Sequence, residues 1–251
     1  MPGSWLRASA RMIIFGINPV LEALRAGRVT SVRLSSRADH RAAAIVRLAA
    51  ERGIPVRRAS VEDLERFAHG GVHQGVVAEV PDAATVTVED LVAGARGVPL
   101  LVVLDQVEDP HNVGAILRTV DAAGADGVVR QSRHAARLGG AAAKASAGAL
   151  AHVRIAEVVN IARALEALKA AGVWTVGLAG DAGHRYDAID YTLPTAFVVG
   201  AEEKGLRHLV RERCDWLAAI PMRGRVQSLN VSVALGVALF EAVRQRNLTR
   251  R

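Results

Sequence analysis

Cysteine is nearly missing from this chain and long apolar runs are missing altogether. Each shortage removes a class of protein. Cys214 is the one cysteine in 251 residues, which excludes an internal disulfide and a Cys-rich zinc site and fits a reducing cytoplasm. It is expected to be a small buried apolar residue. No apolar run reaches the roughly 18 residues of a membrane-spanning helix; "VPLLVVL" at 98–104 stops at Asp105. The opening "MPGSWLRASARM" is basic but lacks the apolar centre of a secretory signal, and Met12 offers a second start. A cytoplasmic protein without a membrane partner is therefore expected. His73 and His111 stand outside any H-x-x-H, H-E-x-x-H or Cys/His cluster, so no metal is expected, and His111 is expected in a loop. Neither G-x-G-x-x-G after a strand nor G-x-x-x-x-G-K-[ST] occurs, which counts against nicotinamide dehydrogenases and P-loop enzymes. Internal repeats and low-complexity tracts are also missing.

Acids are outnumbered, 25 against 32 Lys and Arg, for a net charge of +7 and a pI near 10.6. That balance points to a polyanionic partner. With 51% hydrophobic residues, the chain is able to bury one large core or two moderate ones.

Two α/β blocks follow from the apolar patterning. In the first, "INPVLEALRAG" predicts a helix with Asn18 as cap, Pro19 at the first helical position and Gly27 past the end. Strands are expected at 29–35, "IPVRRA" and 75–80, with helices at 39–53 and after Ser60. Residues 12–80 form this first domain, and 81–98, mixed in composition with one short helical pattern, read as a linker. Residues 99–251 form the second, with strands at 100–105, 127–129, 152–156, 173–179, 196–201 and 216–221 separated by helices. Continuous apolar strands alternating with helices predict a mostly parallel sheet covered on both faces. Ligands of such sheets sit at the carboxyl ends of the strands.

Three stretches follow those strand ends. In "DPHNVGAILRTV" (109–120), Val113, Ile116, Leu117 and Val120 form the expected buried stripe at i, i+3, i+4 and i+7. Arg118 then points outward above Gly114 and Ala115, a shallow notch for a ligand backbone, and Asn112 is expected at the N-cap. The plainer alternative is a capping Asn112 and an Arg118–Asp121 pair. In "VVGAEEKGLRHLV" (198–210), Gly200 lets a ligand approach the main chain while Glu202 offers a carboxylate; a solvated turn gives the same pattern. In "IPMRGRVQSLNVSVALGVALFEAVRQR" (220–246), Ser228 and Asn230 are displayed at a helix start, one of them as its cap. Val233, Val237, Phe240 and Val243 are expected to mark that helix's packed side, and Arg223 and Arg225 add positive charge.

In this order and at these separations, "NVGAILR", "VVGAEEKG" and "IPMRGRVQSLNVSVALG" resemble the SPOUT class of methyltransferases and, within it, the TrmH-like RNA ribose 2′-O-methyltransferases. The resemblance covers about residues 99–247. "FGINPVLEAL" and "HQGVVAEV" are similar to the ribosomal-protein-like RNA-binding domain of the RlmB subgroup, the 23S rRNA guanosine-2′-O-methyltransferases. The resemblance implies a C-terminal trefoil knot, which general chain topology disfavours, and a homodimer with composite sites. It implies that Asn112, Arg118, Glu202, Ser228 and Asn230 are catalytic. It also implies that S-adenosylmethionine is held around Gly180, Gly200, Ile220, Met222 and Leu229, with RNA, most simply 23S rRNA and not DNA, as partner. Lys204 receives no role.

These residue types suit methyl transfer to a ribose hydroxyl, an in-line displacement that needs alignment and no metal. Arg118 is either the base of the family's mechanism or, since arginine stays protonated, a clamp on the developing alkoxide or the adjacent phosphate. A tRNA or rRNA-adenosine methyltransferase of the same family and a non-catalytic RNA-binding protein are the alternatives.

Overall fold

The computed structural model describes residues 11–35, 42–81, 86–133, 135–136, 138–202 and 204–249. The first unit is a four-stranded sheet of β1 (Arg11–Phe15), β2 (Ser31–Leu34), β3 (Val56–Arg58) and β4 (Val76–Pro81) in the order β1-β4-β2-β3, with α1 (Ile17–Arg25), α2 (Ala42–Glu51) and α3 (Val61–Ala68). β1, not anticipated from the sequence, pairs antiparallel with β4 from Arg11↔Pro81 to Phe15↔Val77. The start of α1 also differs from expectation. Gly16, at φ 95°, is its N-cap, and Asn18 lies inside the helix. The Ile17 N–H is satisfied instead by Gln74 Oε1 at 3.1 Å, so the partner comes from 57 residues away. Ser60 caps α3 as predicted, accepting from the Asp63 N–H.

The second unit contains α4 (Val88–Ala93), β5 (Leu100–Asp105), α5 (Pro110–Ala122), β6 (Gly127–Gln131), α6 (Gly140–Ala145), β7 (Ile155–Val158), α7 (Ile161–Ala170), β8 (Trp174–Leu178), β9 (His184–Arg185), β10 (Thr195–Gly200), α8 (His208–Arg213), β11 (Trp216–Ala219) and α9 (Val231–Leu248). Its seven strands run β7-β6-β5-β10-β8-β11-β9, and every pairing is parallel. Side chains alternate across this sheet. Leu100, Val102 and Leu104 of β5 enter one core cluster while Leu101 and Val103 enter the other, and β10 divides the same way. Both faces are buried, which is why these strands read as unbroken apolar runs. Among the described residues no helix is long and apolar enough to cross a membrane.

The two units share a core. Ile14, Ile17, Val20 and Leu24 of the first belong to the same cluster as Ala143, Leu150 and Val153 of the second. Arg28 Nη1 donates to the Leu150 and Ala151 carbonyls at 3.1 and 3.3 Å. Part of the expected linker is built into the second unit: Val86 bridges to Ala156, a Thr87–Asp90 capping box starts α4, and Val88 and Leu91 are buried. Cys214 is partly buried against Gly177, donates its thiol to the Val210 carbonyl at 3.3 Å, and has its pKa pushed up to about 12 by burial.

Two packing expectations are overturned. Helix α9 buries Val231, Leu235, Ala238, Leu239 and Ala242, while Val233 and Phe240 are half exposed, at 51% and 50%. The helix is apolar nearly all round, so its sequence offers two stripes and only the packing selects one. Gly114 is not an open notch. A Cβ there would stand 2.4 Å from the Ala145 Cβ and 2.7 Å from the Ala142 carbonyl oxygen, so the glycine admits α6 rather than a ligand. Gly114→Val is accordingly expected to cost about 1–3 kcal/mol of stability through overpacking, measured by chemical denaturation. Unchanged stability would restore the open notch.

Candidate active site

The carboxyl ends of β8, β10 and β11 open into a cleft of about 660 Å³ lined by Leu178, Gly180, Val199, Gly200, Ile220, Met222, Ser228, Leu229 and Val231, with Glu202 at its edge. All five residues assigned to the cofactor in the sequence line it, together with Ser228 and Glu202. A Cβ on Gly180 would meet only the Gln227 carbonyl oxygen, at 3.9 Å, so main chain is open to a ligand there. Beside it, Asp181 is held below the usual carboxylate range, chiefly by hydrogen bonds from Arg211 at 2.8 and 2.9 Å. This ties the 179–183 loop to α8.

Asn230 joins the three stretches. Its Oδ1 caps α9 by accepting from the Ser232 N–H at 2.9 Å. Its amide donates to Asn112 Oδ1 at 2.9 Å and to Glu202 Oε1. One side chain thus uses both its acceptor and its donors, and Ser228, exposed in the cleft, is not the cap. Nor is Asn112: Asp109 caps α5 with Pro110 at the first helical position, and Asn112 lies a turn in and buried, 6% exposed. His111 is in the first turn of that helix, not in a loop, and is exposed.

Arg118 stands apart. It is exposed on α5, does not line the cleft, and makes no hydrogen bond or ion pair among the described residues, the Asp121 pair included. Lys204 is exposed in the turn after β10. The glycine at 200 has a different reason from the one expected: a Cβ would lie 2.1 Å from the Gly205 carbonyl oxygen, so the turn folds back on its own backbone there. No group of three or more His, Cys, Asp or Glu suited to a metal occurs among the described residues.

Asp105, Gln106, Gln131 and Arg207, polar residues at this end of the sheet, were not singled out in the sequence. Asp105, fully buried at the end of β5, accepts from Arg207 Nε at 2.7 Å and from the Arg207 N–H at 2.9 Å. Arg207 Nη2 also donates to Gln131 Oε1 at 3.0 Å. Gln106, next in the chain, takes a left-handed φ of 58°, an unfavourable conformation for a residue with a side chain. A charge ending the otherwise apolar "LLVVLD" was the available signal.

Residues 99–240 match the SpoU rRNA methylase family, and residues 13–86 match the RNA 2′-O ribose methyltransferase substrate-binding family. The chain belongs to the SpoU rRNA methylase family. It is 44% identical over 243 residues to the 23S rRNA (guanosine-2′-O-)-methyltransferase RlmB of Pseudomonas putida, covering 94% of this chain and 98% of that one. The RlmB of Pseudomonas aeruginosa is 45% identical over 239 residues, 93% and 96% of the two chains. Among solved structures, the SpoU methyltransferase AviRb from Streptomyces viridochromogenes in complex with AdoMet superposes with a TM-score of 0.80 at 28% identity, over 96% of this chain and 92% of that one. An AdoMet-bound rRNA methyltransferase from Sinorhizobium meliloti gives 0.77 at 27% identity, over 93% and 87%.

For this member of the SpoU family, Asn230→Ala is expected to cost about 1–3 kcal/mol, since it removes a cap and leaves the buried Asn112 oxygen without its donor. Asn230→Ser, which keeps the cap alone, is expected to recover part of that loss. Urea unfolding of both variants decides, and losses under about 0.5 kcal/mol, the scale of neutral surface changes, would remove Asn230 as the junction.

Proposed function

We propose that the protein transfers a methyl group from S-adenosylmethionine to the ribose 2′-hydroxyl of a guanosine in 23S rRNA. The observation that carries this reading is the cleft at the strand ends, where main chain at Gly180 and apolar Leu178, Ile220, Met222, Leu229 and Val231 suit an adenosyl group. Gly180, Gly200, Ile220, Met222 and Leu229 would hold the cofactor, which supplies a sulfonium methyl. The RlmB relatives supply the choice of 23S rRNA and guanosine. The cytoplasm is the compartment that this reading implies.

Each polar group has a task in this reading. The Asn230 amide holds Glu202 and Asn112 in one hydrogen-bonded line at the cleft edge; Ser228 offers a hydroxyl inside it. Arg118, without a partner among the described residues, is placed to meet a ribose oxygen as its proton leaves, or the neighbouring phosphate. RNA is drawn in by the net charge of +7 and, at the first unit, by a domain matched to substrate binding. The insertion of β10 between β5 and β8 supports the knotted chain path of the SPOUT class.

The functional form is a homodimer with shared sites. Val233 and Phe240 give α9 an apolar outer face, and Arg118, on the neighbouring α5, does not line its own copy's cleft. A second copy covering α9 brings Arg118 of one copy to the cleft of the other.

Calorimetric titration with S-adenosylmethionine and radiolabelled transfer to 23S rRNA, with tRNA as control, test the activity. Arg118→Ala is expected to bind cofactor like wild type and to lose transfer by about a hundredfold or more. Absence of cofactor binding by folded wild type would leave an RNA-binding protein, and transfer to tRNA alone would reassign the substrate. For the shared site, Arg118→Ala is mixed in equal amount with Gly180→Trp, which fills the cleft. The mixture, about half of it mixed dimer with one intact site in two, is expected to regain roughly a quarter of wild-type activity; no recovery would place both residues in one copy's site.

A further inference from the structure

The turn after β10 supplies one wall of the cleft through Gly200, Ala201, Glu202 and Gly205. Among its described residues only Leu206 is a buried apolar side chain in the core, so the shape of the stretch before it must come from elsewhere. Inside it, the Gly205 N–H donates to the Ala201 carbonyl at 2.8 Å and the Gly205 backbone closes on Gly200. At its start, Gly200 is the sheet partner of Asp105 in the β5–β10 pairing. At its end, the Arg207 N–H and guanidinium are bound by the carboxylate of that same Asp105, at 2.9 Å to Oδ2 and 2.7 Å to Oδ1. Both ends of the turn are therefore pinned to one residue, and Gln131 of β6 steadies the guanidinium from the other side.

Stability does not account for this arrangement. A fully buried carboxylate bears a desolvation cost that its ion pair only offsets, and apolar pairs of similar size commonly do as well or better. What an apolar pair lacks is direction: the guanidinium, with Nε on Asp105 Oδ1 and Nη2 on Gln131, and the main-chain N–H on Asp105 Oδ2 fix Arg207 in both position and orientation. We infer that Asp105 and Arg207 are a positioning pair for the cofactor cleft, setting the 200–206 turn and, through it, Glu202 against Asn230. Neither residue needs to touch the cofactor. The inference rests on the cofactor reading of the cleft proposed above.

Asp105→Asn, Arg207→Gln, Arg207→Lys and the Asp105→Asn/Arg207→Gln double variant test it, because Arg207 is partly exposed and its variants fold even if the buried site does not tolerate change. The KM for S-adenosylmethionine is expected to rise about tenfold in Arg207→Gln and no further in the double variant, since the two act as a unit. Arg207→Lys, which keeps the charge but loses the fork, is expected to lie between wild type and Arg207→Gln. The KM for RNA is expected to hold within about twofold. Without cofactor, hydrogen exchange at the Gly205 and Arg207 amides is expected to speed up in the variants, a readout independent of activity. An unchanged cofactor KM with unchanged exchange overturns the pair, as does full additivity of the single changes. A raised KM for RNA alone would make Arg207 an RNA contact instead. Wild type that binds no S-adenosylmethionine overturns the cofactor reading itself, whereas wild-type binding with unaltered variants overturns only the positioning pair.

Discussion

The parallel pairing of β5 with β10 is the contact from which the rest of the site follows. Six residue pairs run in register from Leu100↔Thr195 to Asp105↔Gly200, joining segments 95 positions apart in the chain. Everything placed on these two strands is buried on both faces, so polar chemistry is confined to where the strands stop. There the pairing sets the strand end that leads into the first chemical stretch against the beginning of the second. Strand β8 on the far side of β10 and β11 beyond it complete the cleft floor. Loss of that register would slide Asp105 past Gly200 and reverse which side chains face which core.

Burial at the strand ends imposes a second condition: Asn112 and Asp105, withdrawn from water, have partners brought from far along the chain. Asn112 is satisfied from 118 residues away and Asp105 from 102. Such contacts cannot form until the sheet has assembled, and they lock loops that would otherwise remain mobile. The site's geometry is thus contributed by tertiary partners and not by local preference. The same logic governs the first unit, where Gln74 completes the start of α1.

This explains which parts of the protein were legible in the sequence. The principal strands of the parallel sheet were readable because two-faced burial leaves unbroken apolar runs such as "LLVVLD", and the cleft residues because they follow those runs. Asn18 and Asn112 were misplaced as caps because a cap is decided by the backbone that surrounds it, and in neither case does the asparagine side chain serve its own helix start. Gly114 and Gly200 were rightly marked as sites of close approach, but a glycine does not say what approaches: here it is α6 at one and the chain's own turn at the other. Val233 and Phe240 read as core because the first half of α9 is apolar on nearly every side. The pair Asp105 and Arg207 carried no periodic signature, an aspartate after a strand and an arginine before a helix being common enough to pass unnoticed. β1 and the two-residue β9 were missed for want of length and of alternation.

The docking of the first unit has a consequence for how RNA is chosen. Arg28, hydrogen-bonded to the Leu150 and Ala151 carbonyls, and the apolar cluster spanning Ile14 and Leu150 fasten that unit to the catalytic half instead of leaving it on a tether. A tethered domain would sweep a volume and accept targets at many separations. A fastened one acts as a caliper: the span between the gripped RNA and the cleft is a constant of the protein, and only an RNA fold whose own dimensions match that span offers its ribose at the right place.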